Sequence, residues 1–416
     1  MQRHLGINFV NGVVKMDSPI SSIIFLIVGS LSGIFTGMLP GIHPNMLIPM
    51  TLPLVSIVGV NNYIYFLIGM VISHYFINYI PSAFLGIPDD ETAVSVVPLH
   101  NLTVNGRGYE GIILCGIGGM FGIFLSVILS FILIFVLNLD LHDFYIANRH
   151  YIPIILISIL IYSILISENK LYTFLIILLS GILGLIVLYN GPSIDNILTG
   201  IFTGMFAIPI LINNLKTGKL PSQIITFPNI DISIIKSVIA GTLGGFFRIF
   251  LPAIGGAQIN YILGKIIKED DIENFLVSQG AITLSNEVFS IVSLLLIGYG
   301  RSGTSVAIKN LNVDYSPNLI FSFLIVSGFA LVMLITLSKY ILLYLRSMGD
   351  YGKISRTLLI FCNIIVFILA FISGHFIYYL IVYFISALIG ILCVNLRVNM
   401  SNMMAVLVFP TVLYFI

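Results

Sequence analysis

Charge is what this chain has least of. Only 8% of its 416 residues are Asp, Glu, Lys or Arg, against about 25% in a typical soluble domain. With 58% hydrophobic residues, too little polar surface remains to wrap a water-soluble core. A net charge of +1 leaves nothing to attract nucleic acid and no strongly anionic surface. Cysteine is scarce too. Cys115, Cys362 and Cys393 lie far apart in apolar stretches, which excludes a disulfide framework and a CxxC metal pattern. Tryptophan is missing altogether, so tyrosine and phenylalanine must supply any aromatic belt at a membrane surface. No HExxH, GxSxG or ATP-binding P-loop occurs, and His74, His100 and His142 sit in unlike contexts, so no familiar hydrolase or nucleotide-driven engine is written here.

What the chain has in abundance is apolar length. Runs at 23–39, 63–80, 112–137, 152–166, 171–189, 319–345, 358–373 and 376–394 approach the ~20 residues that a bilayer-crossing helix needs. Helices satisfy their own backbone hydrogen bonds where lipid cannot, and the short alternating segments of a membrane β-barrel are missing. The expectation is an all-α polytopic integral protein of the cell membrane. Arg3, His4 and Lys15 precede the first run in the manner of a signal peptide. That run is long, punctuated by glycine and without a small-residue cleavage site, so it reads as a retained first span.

The chain also resembles itself. A shift of 212 positions places Gly29, Gly33 and Phe35 on Gly241, Gly245 and Phe247. The same shift places Leu39-Pro40 on Leu251-Pro252, Ser73 on Ser285, Gly86 on Gly298, Thr92 on Thr304 and Gly116 on Gly328. Scarce residues coinciding at one offset indicate a duplication. The predicted organisation is an N-terminal segment 1–17, a first transmembrane repeat 18–213, a polar linker 214–232 and a second repeat 233–416. The loop 138–149 carries Asp140 and Asp143 against Arg149, whereas 346–356 carries Arg346, Lys353 and Arg356 against Asp350. The positive-inside rule puts these equivalent loops on opposite sides of the membrane, which predicts inverted-topology repeats.

Each repeat is interrupted twice. Pro40, Gly41, His43, Pro44 and Asn45 follow Gly33 and Gly37, and Pro252, Gly255, Gly256 and Gln258 occupy the matching stretch. A continuous helix cannot run through so much proline and glycine, so broken or re-entrant helices are expected. At membrane depth such breaks survive only where they line a cavity, and they point to a binding site; the alternative is a hinge or surface loop. The second interruption is Gly86 to Thr92, with Asp89, Asp90 and Glu91, matched by Gly298 to Thr304, with Arg301, Ser302 and Gly303. Backbone amides of such turns suit an anion. The acids would coordinate a cation or proton and Arg301 would meet an anionic substrate, or all are solvated loop charges.

Within the spans, ionisable groups are costly and tend to be functional. Ser285, Asn286 and Glu287 fall mid-span, and the repeat sets Ser73, His74 and Tyr75 opposite them, with Asn78 one turn beyond His74. Histidine is the residue type whose unperturbed pKa lies near physiological pH, so His74 would suit proton coupling; otherwise it is an interhelical hydrogen-bonding residue. Arg248, just before the second break, meets Glu287 or substrate, or snorkels to the interface.

Together "GMLPGIHPN", "GIPDDETAVSVVPLHNLTVNGRG", "LPAIGGAQ" and "GYGRSGTS" resemble, in order and spacing over nearly the whole chain, the large membrane subunit of the tripartite tricarboxylate transporter family. The resemblance implies a permease moving carboxylate anions by a cation gradient, with sodium or proton as coupling ion and no cofactor. It also implies, as partners, a small membrane subunit and a solute-binding protein. Asp89-Asp90-Glu91 departs from the family's small uncharged residues, so the substrate class carries over poorly. The competing classes are a channel or membrane assembly protein and, third, an intramembrane enzyme.

Overall fold

The computed structural model describes residues 19–39, 42, 44–86, 96–194, 196–215, 221–267, 271–311, 317–348 and 351–416. Among these residues every regular element is helical. Eleven helices are long and apolar enough to cross a membrane, and two shorter apolar ones span Leu47–Val58 and Met400–Phe415. Beyond the runs singled out above, spans lie at Ile197–Asn214 and Ser233–Phe250, and the span that holds Glu287 runs Ile272–Leu296. These are the less hydropathic stretches, diluted by glycine, serine, threonine and asparagine.

The first half contains α1 (Pro19–Gly37), α2 (Pro44–Thr51, continued by short turns to Val58) and α3 (Val60–Leu85). It continues with α4 (Val96–Val104), α5 (Gly108–Val136), α6 (His142–Ile166), α7 (Lys170–Tyr189) and α8 (Ile197–Asn214). After the non-helical residues 221–231 come α9 (Ser233–Phe250), α10 (Gly256–Ile267), α11 (Ile272–Leu296) and α12 (Gly303–Asn310). The chain ends with α13 (Pro317–Met348), α14 (Tyr351–Ile372), α15 (Phe376–Asn395) and α16 (Met400–Phe415). Adding 212 to the bounds of α3 gives 272–297, against 272–296 for α11. The same shift carries α5 to 320–348, against 317–348 for α13.

Helix contacts are set by small residues, as membrane interiors favour. On α1, a side chain at Gly29 would overlap the carbonyl of Phe66, one at Gly33 that of Met70, and one at Gly37 that of His74. The partners advance by four as the glycines do, so α1 and α3 lie side by side and parallel. The second half repeats the arrangement: Gly241 meets Ser278 and Gly245 meets Ile282 and Ser285. Between halves, Gly118 abuts Val277, Gly122 abuts Ala281 and Gly280 abuts Cys115, so α5 and α11 are also parallel. In contrast α5 and α13 run antiparallel. Tyr109 at one end of α5 donates to the Ile335 carbonyl at 3.5 Å, while Phe131 near the other lies 6.0 Å from the Phe321 ring.

Two polar fixtures tie the ends of these helices. Arg107 donates to Glu110 of α5 at 2.7 and 2.8 Å and to Glu273 of α11 at 2.5 Å. The Glu110 and Glu273 carboxylates hold the guanidinium well above its usual pKa, and both acids favour the helix N-termini they occupy. The linker side chain Gln223, 3% exposed, accepts from the Gly108 amide at 3.0 Å and donates to the Thr103 carbonyl at 2.6 Å. All three cysteines are free and buried, which fits the expectation that they pack.

Substitution should distinguish close contacts from open ones. Gly245→Val forces α9 away from α11 and is expected to lower thermal stability in detergent by about 1–3 kcal/mol, the usual cost of overpacking. Gly328→Ala, facing open space, should leave the melting temperature unchanged or raise it, since glycine inside a helix costs roughly 0.5–1 kcal/mol relative to alanine. Melting curves of the two purified variants check both.

Candidate functional site

The break that ends α9 follows from local chemistry. Proline disfavours helical geometry in the residue before it. The helix therefore tightens into a 3-10 turn over Arg248–Phe250, and Leu251 swings to φ −119° and ψ 88° ahead of Pro252. Ala253 then takes a left-handed φ of 65°, which costs a non-glycine residue roughly 1–2 kcal/mol. Its counterpart in the 212-residue shift is Gly41. The chain re-enters a helix at Gly256.

This break lies at membrane depth. Gly245 of α9 touches Ser285, and α11 continues 11 residues further, from Ser285 to Leu296. At ~1.5 Å per residue Gly245 sits about 16 Å below that end of α11, and the break, which begins three residues further on, about 12 Å below it. Irregular backbone at such a depth needs a polar cavity, and one is present. A space of about 250 Å³ is lined by Arg248, Pro252 and Gly255 of the break, Asn286 and Glu287 of α11, and Arg301 and Ser302 before α12. Tyr75 reaches it from α3, and Met404 and Leu407 from α16. Tyr75 and Glu287 are 212 positions apart, so matching positions of the two halves face one cavity.

Arg301 is positioned by a chain of hydroxyls. Its amide donates to Ser290 Oγ at 3.0 Å, Ser290 Oγ lies 3.0 Å from Ser305 Oγ, and Ser293 Oγ donates to the Tyr299 carbonyl at 2.6 Å. Ser302 caps α12 through a reciprocal pair of bonds with Ser305. The guanidinium donates from Nε to the Ile249 carbonyl at 2.6 Å and from Nη2 to Tyr145 Oη at 2.7 Å, and sits 5.2 Å over the Tyr145 ring. A guanidinium has five N–H donors, so these two bonds leave three for a ligand. Arg248 is 9% exposed and donates from Nε to the Ile254 carbonyl at 3.2 Å. Glu287 is 3% exposed. Among the described residues the cavity thus carries two guanidinium groups and one carboxylate.

The other candidates separate clearly. Gln258 is buried, donates to the Ser401 carbonyl at 3.1 Å and accepts from Gly255 at 3.4 Å, so it braces the break from outside the cavity wall. Gly256 opens α10. Ser285 is turned to the Ile282 carbonyl at 3.3 Å. Ser73, His74 and Asn78 are buried in α3, and the His74 Nδ1 lies 3.0 Å from Thr36 Oγ1; none of the three lines the cavity. Ser73 Oγ and Thr304 Oγ1 are buried without a hydrogen-bond partner. Pro40, Gly41, His43, Asp89, Asp90 and Thr92 lie outside the described residues, as does the side chain of Asn45. Sequence reasoning missed Tyr75 as a wall residue and the whole contribution of α16. The 212-residue match of Tyr75 to Glu287 was the available signal for the first.

A sequence profile described as the tripartite tricarboxylate transporter TctA family matches residues 23–405, which takes in all of the cavity's lining residues but Leu407. The chain belongs to this family. It is therefore a multi-pass membrane protein and a permease of the tricarboxylate transporter type. An uncharacterized protein of Methanocaldococcus jannaschii is 49% identical over 396 residues, covering 95% of this chain and 99% of the relative. No solved structure matches. The family's tripartite description fits a permease that operates beside other subunits.

Two substitutions test the wall in proteoliposomes. Glu287→Gln removes its only acid among the described residues and should abolish concentrative uptake while the protein still folds, as melting curves will show. Arg301→Lys replaces a planar fork by a point charge and should cut uptake by tenfold or more, about 1.4 kcal/mol per factor of ten. Unchanged uptake in Glu287→Gln would remove that residue from the mechanism.

Proposed function

We propose that this permease imports an organic dicarboxylate or tricarboxylate together with monovalent cations, binding it in the cavity beside Pro252. The observation that carries the reading is the charge on the cavity wall. Two guanidinium groups against one carboxylate leave a formal +1, enough to attract an anion but one short of neutralising a dianion. A buried net charge is costly, so a dianion enters with at least one proton or sodium ion. Coupling then follows from charge balance rather than from a separate device. The two buried hydroxyls without partners, Ser73 Oγ and Thr304 Oγ1, are of the oxygen type a sodium ion prefers, and unmet polar groups of this kind cost ~1–3 kcal/mol each.

The halves are read as inverted repeats, 18–213 and 233–416, with the linker between. What supports this is direction: α5 and α13 occupy matching positions in the 212-residue shift, and they run antiparallel. A substrate cavity between inverted repeats suits alternating access, in which one repeat rocks against the other around a fixed site. A channel would lack the bound stoichiometry of anion and cation that the wall charge favours. A small membrane subunit and a solute-binding protein are the expected partners.

Purified protein in vesicles, tested with citrate and succinate, should accumulate one of them against its gradient. Accumulation should collapse when a proton or sodium ionophore removes the driving gradient. In a thermal-shift screen the same carboxylate should raise the melting temperature more in sodium than in potassium if sodium is the partner ion, and more at lower pH if the proton is. At 100 times its dissociation constant a ligand adds about 2.7 kcal/mol. Equilibration without accumulation, insensitive to ionophores, would identify a channel instead.

A further inference from the structure

A second cavity, about 390 Å³, adjoins the first. Pro252 and Arg301 belong to the walls of both. Its remaining wall comes from helix ends: Tyr145 and Arg149 before the apolar part of α6, Tyr189 at the end of α7, Tyr299 after α11, and Thr411 and Tyr414 at the end of α16. These termini mark a membrane surface, and Tyr189, Tyr299 and Tyr414 are exposed. The space therefore leads from that surface down to the central site, and the shared Arg301 stands at the junction.

The chemistry of this outer space differs from that of the inner one. It has two arginines, four tyrosines and no carboxylate among the described residues. No ion pair of the described residues involves Arg149. Its volume is that of a small-molecule site, and a cleft carrying a single sign of charge between low-dielectric walls concentrates ions of the other sign. We propose that the outer cavity is an antechamber for a soluble organic anion, held between Arg149 and Arg301 before transfer past Arg301 into the central cavity. The proposal rests on the permease reading.

Tyr145 gives the junction its latch. Its hydroxyl accepts from Arg301 and its ring lies beneath the guanidinium, and it also lines the antechamber. An arriving carboxylate has a stronger claim on the Arg301 fork than a neutral phenol does. Exchange of one for the other would release the guanidinium from Tyr145 and hand the anion inward, with Nε still fixed to the Ile249 carbonyl.

Cysteine labelling tests the antechamber without relying on transport. The native cysteines are at most 1% exposed, so a reporter at Thr411→Cys, or at Tyr414→Cys should the first variant misfold, stands on a quiet background. The reporter in phosphatidylcholine vesicles is treated with an anionic methanethiosulfonate (ethylsulfonate) and a cationic one (ethyltrimethylammonium), each rate being divided by that of a free thiol in solution. The anionic reagent should be favoured about tenfold, within the range of electrostatic focusing. Arg149→Gln should erase most of that preference, Glu287→Gln should keep it, and added citrate should slow labelling.

In transport, Arg149→Gln should raise KM with little change in kcat. Protection that requires phosphatidylglycerol in the vesicle and is not given by citrate would show a lipid headgroup site and overturn the antechamber. Citrate uptake with no charge preference at the reporter overturns it too and leaves the permease reading standing. A charge preference in a protein that moves no carboxylate overturns the permease reading instead.

Discussion

The contact on which the rest depends is backbone against backbone, where glycines of α1 rest on carbonyls of α3 and those of α9 rest on α11. Lipid offers no hydrophobic drive to bring helices together, so close packing and its dispersion contacts must do so. Glycine permits the approach, and its spacing makes both pairs parallel. Adjacent parallel helices cannot be joined by a tight turn. The chain leaving α1 must travel back across the membrane before α3 begins, and it has only residues 38–59 in which to do so. The return stretch between α9 and α11 is as short. A full span and two surface loops do not fit in such lengths. The outgoing helix therefore stops early, and the return begins within the membrane. The broken helices are in this sense a consequence of the glycine contacts, and the cavity is a consequence of the breaks.

The proposed repeat sets the charges of the cavity against their counterparts in the first half. In the 212-residue shift the cavity residues Arg248, Asn286, Glu287 and Arg301 correspond to Thr36, His74, Tyr75 and Asp89. The frame repeats while the chemistry does not. In the first half, Thr36 and His74 meet in a hydrogen bond of 3.0 Å. At the matching place in the second half stand a guanidinium and an amide that face the cavity. A cavity lined symmetrically would carry either two like charges or none. Divergence places the cationic groups on one wall and the neutral Tyr75 on the other.

Much of this was readable from the residues, and the reasons for what was not are physical. Proline and charge are scarce in an Ile- and Leu-rich span, so Pro252, Arg248, Glu287 and Arg301 stood out, and all four line the cavity. Tyr75 did not, because a tyrosine in an apolar run has no local signature; only its register with Glu287 marks it. Met404 and Leu407 of α16 are far away in sequence and ordinary in type, and no periodicity reveals which distant helix end closes a wall. Ser73, His74 and Asn78 were polar in the right stretch, yet α3 turns them into packed surroundings and presents Tyr75 instead. The sequence marks the cost of a polar residue in a span, while the rotation of the helix decides what that residue faces.

Direction was the other hidden quantity. Matching glycines at Gly33 and Gly245 establish that two helices use the same kind of contact, but a glycine pattern has no sign. Loop charge supplied a sign from outside the membrane, through Asp140 and Asp143 on one loop and Arg346, Lys353 and Arg356 on its counterpart. The contacts of α5 with α13 supply one from inside, since Tyr109 meets Ile335 while Phe131 meets Phe321. The two lines of reasoning use different physics, insertion bias in one case and side-chain packing in the other, and they point the same way. Their agreement gives the mechanism its geometry. On the proposed inverted-repeat reading, two halves facing opposite sides of the membrane share the cavity beside Pro252. The path through Arg301 then opens toward one side at the level where α7, α11 and α16 end.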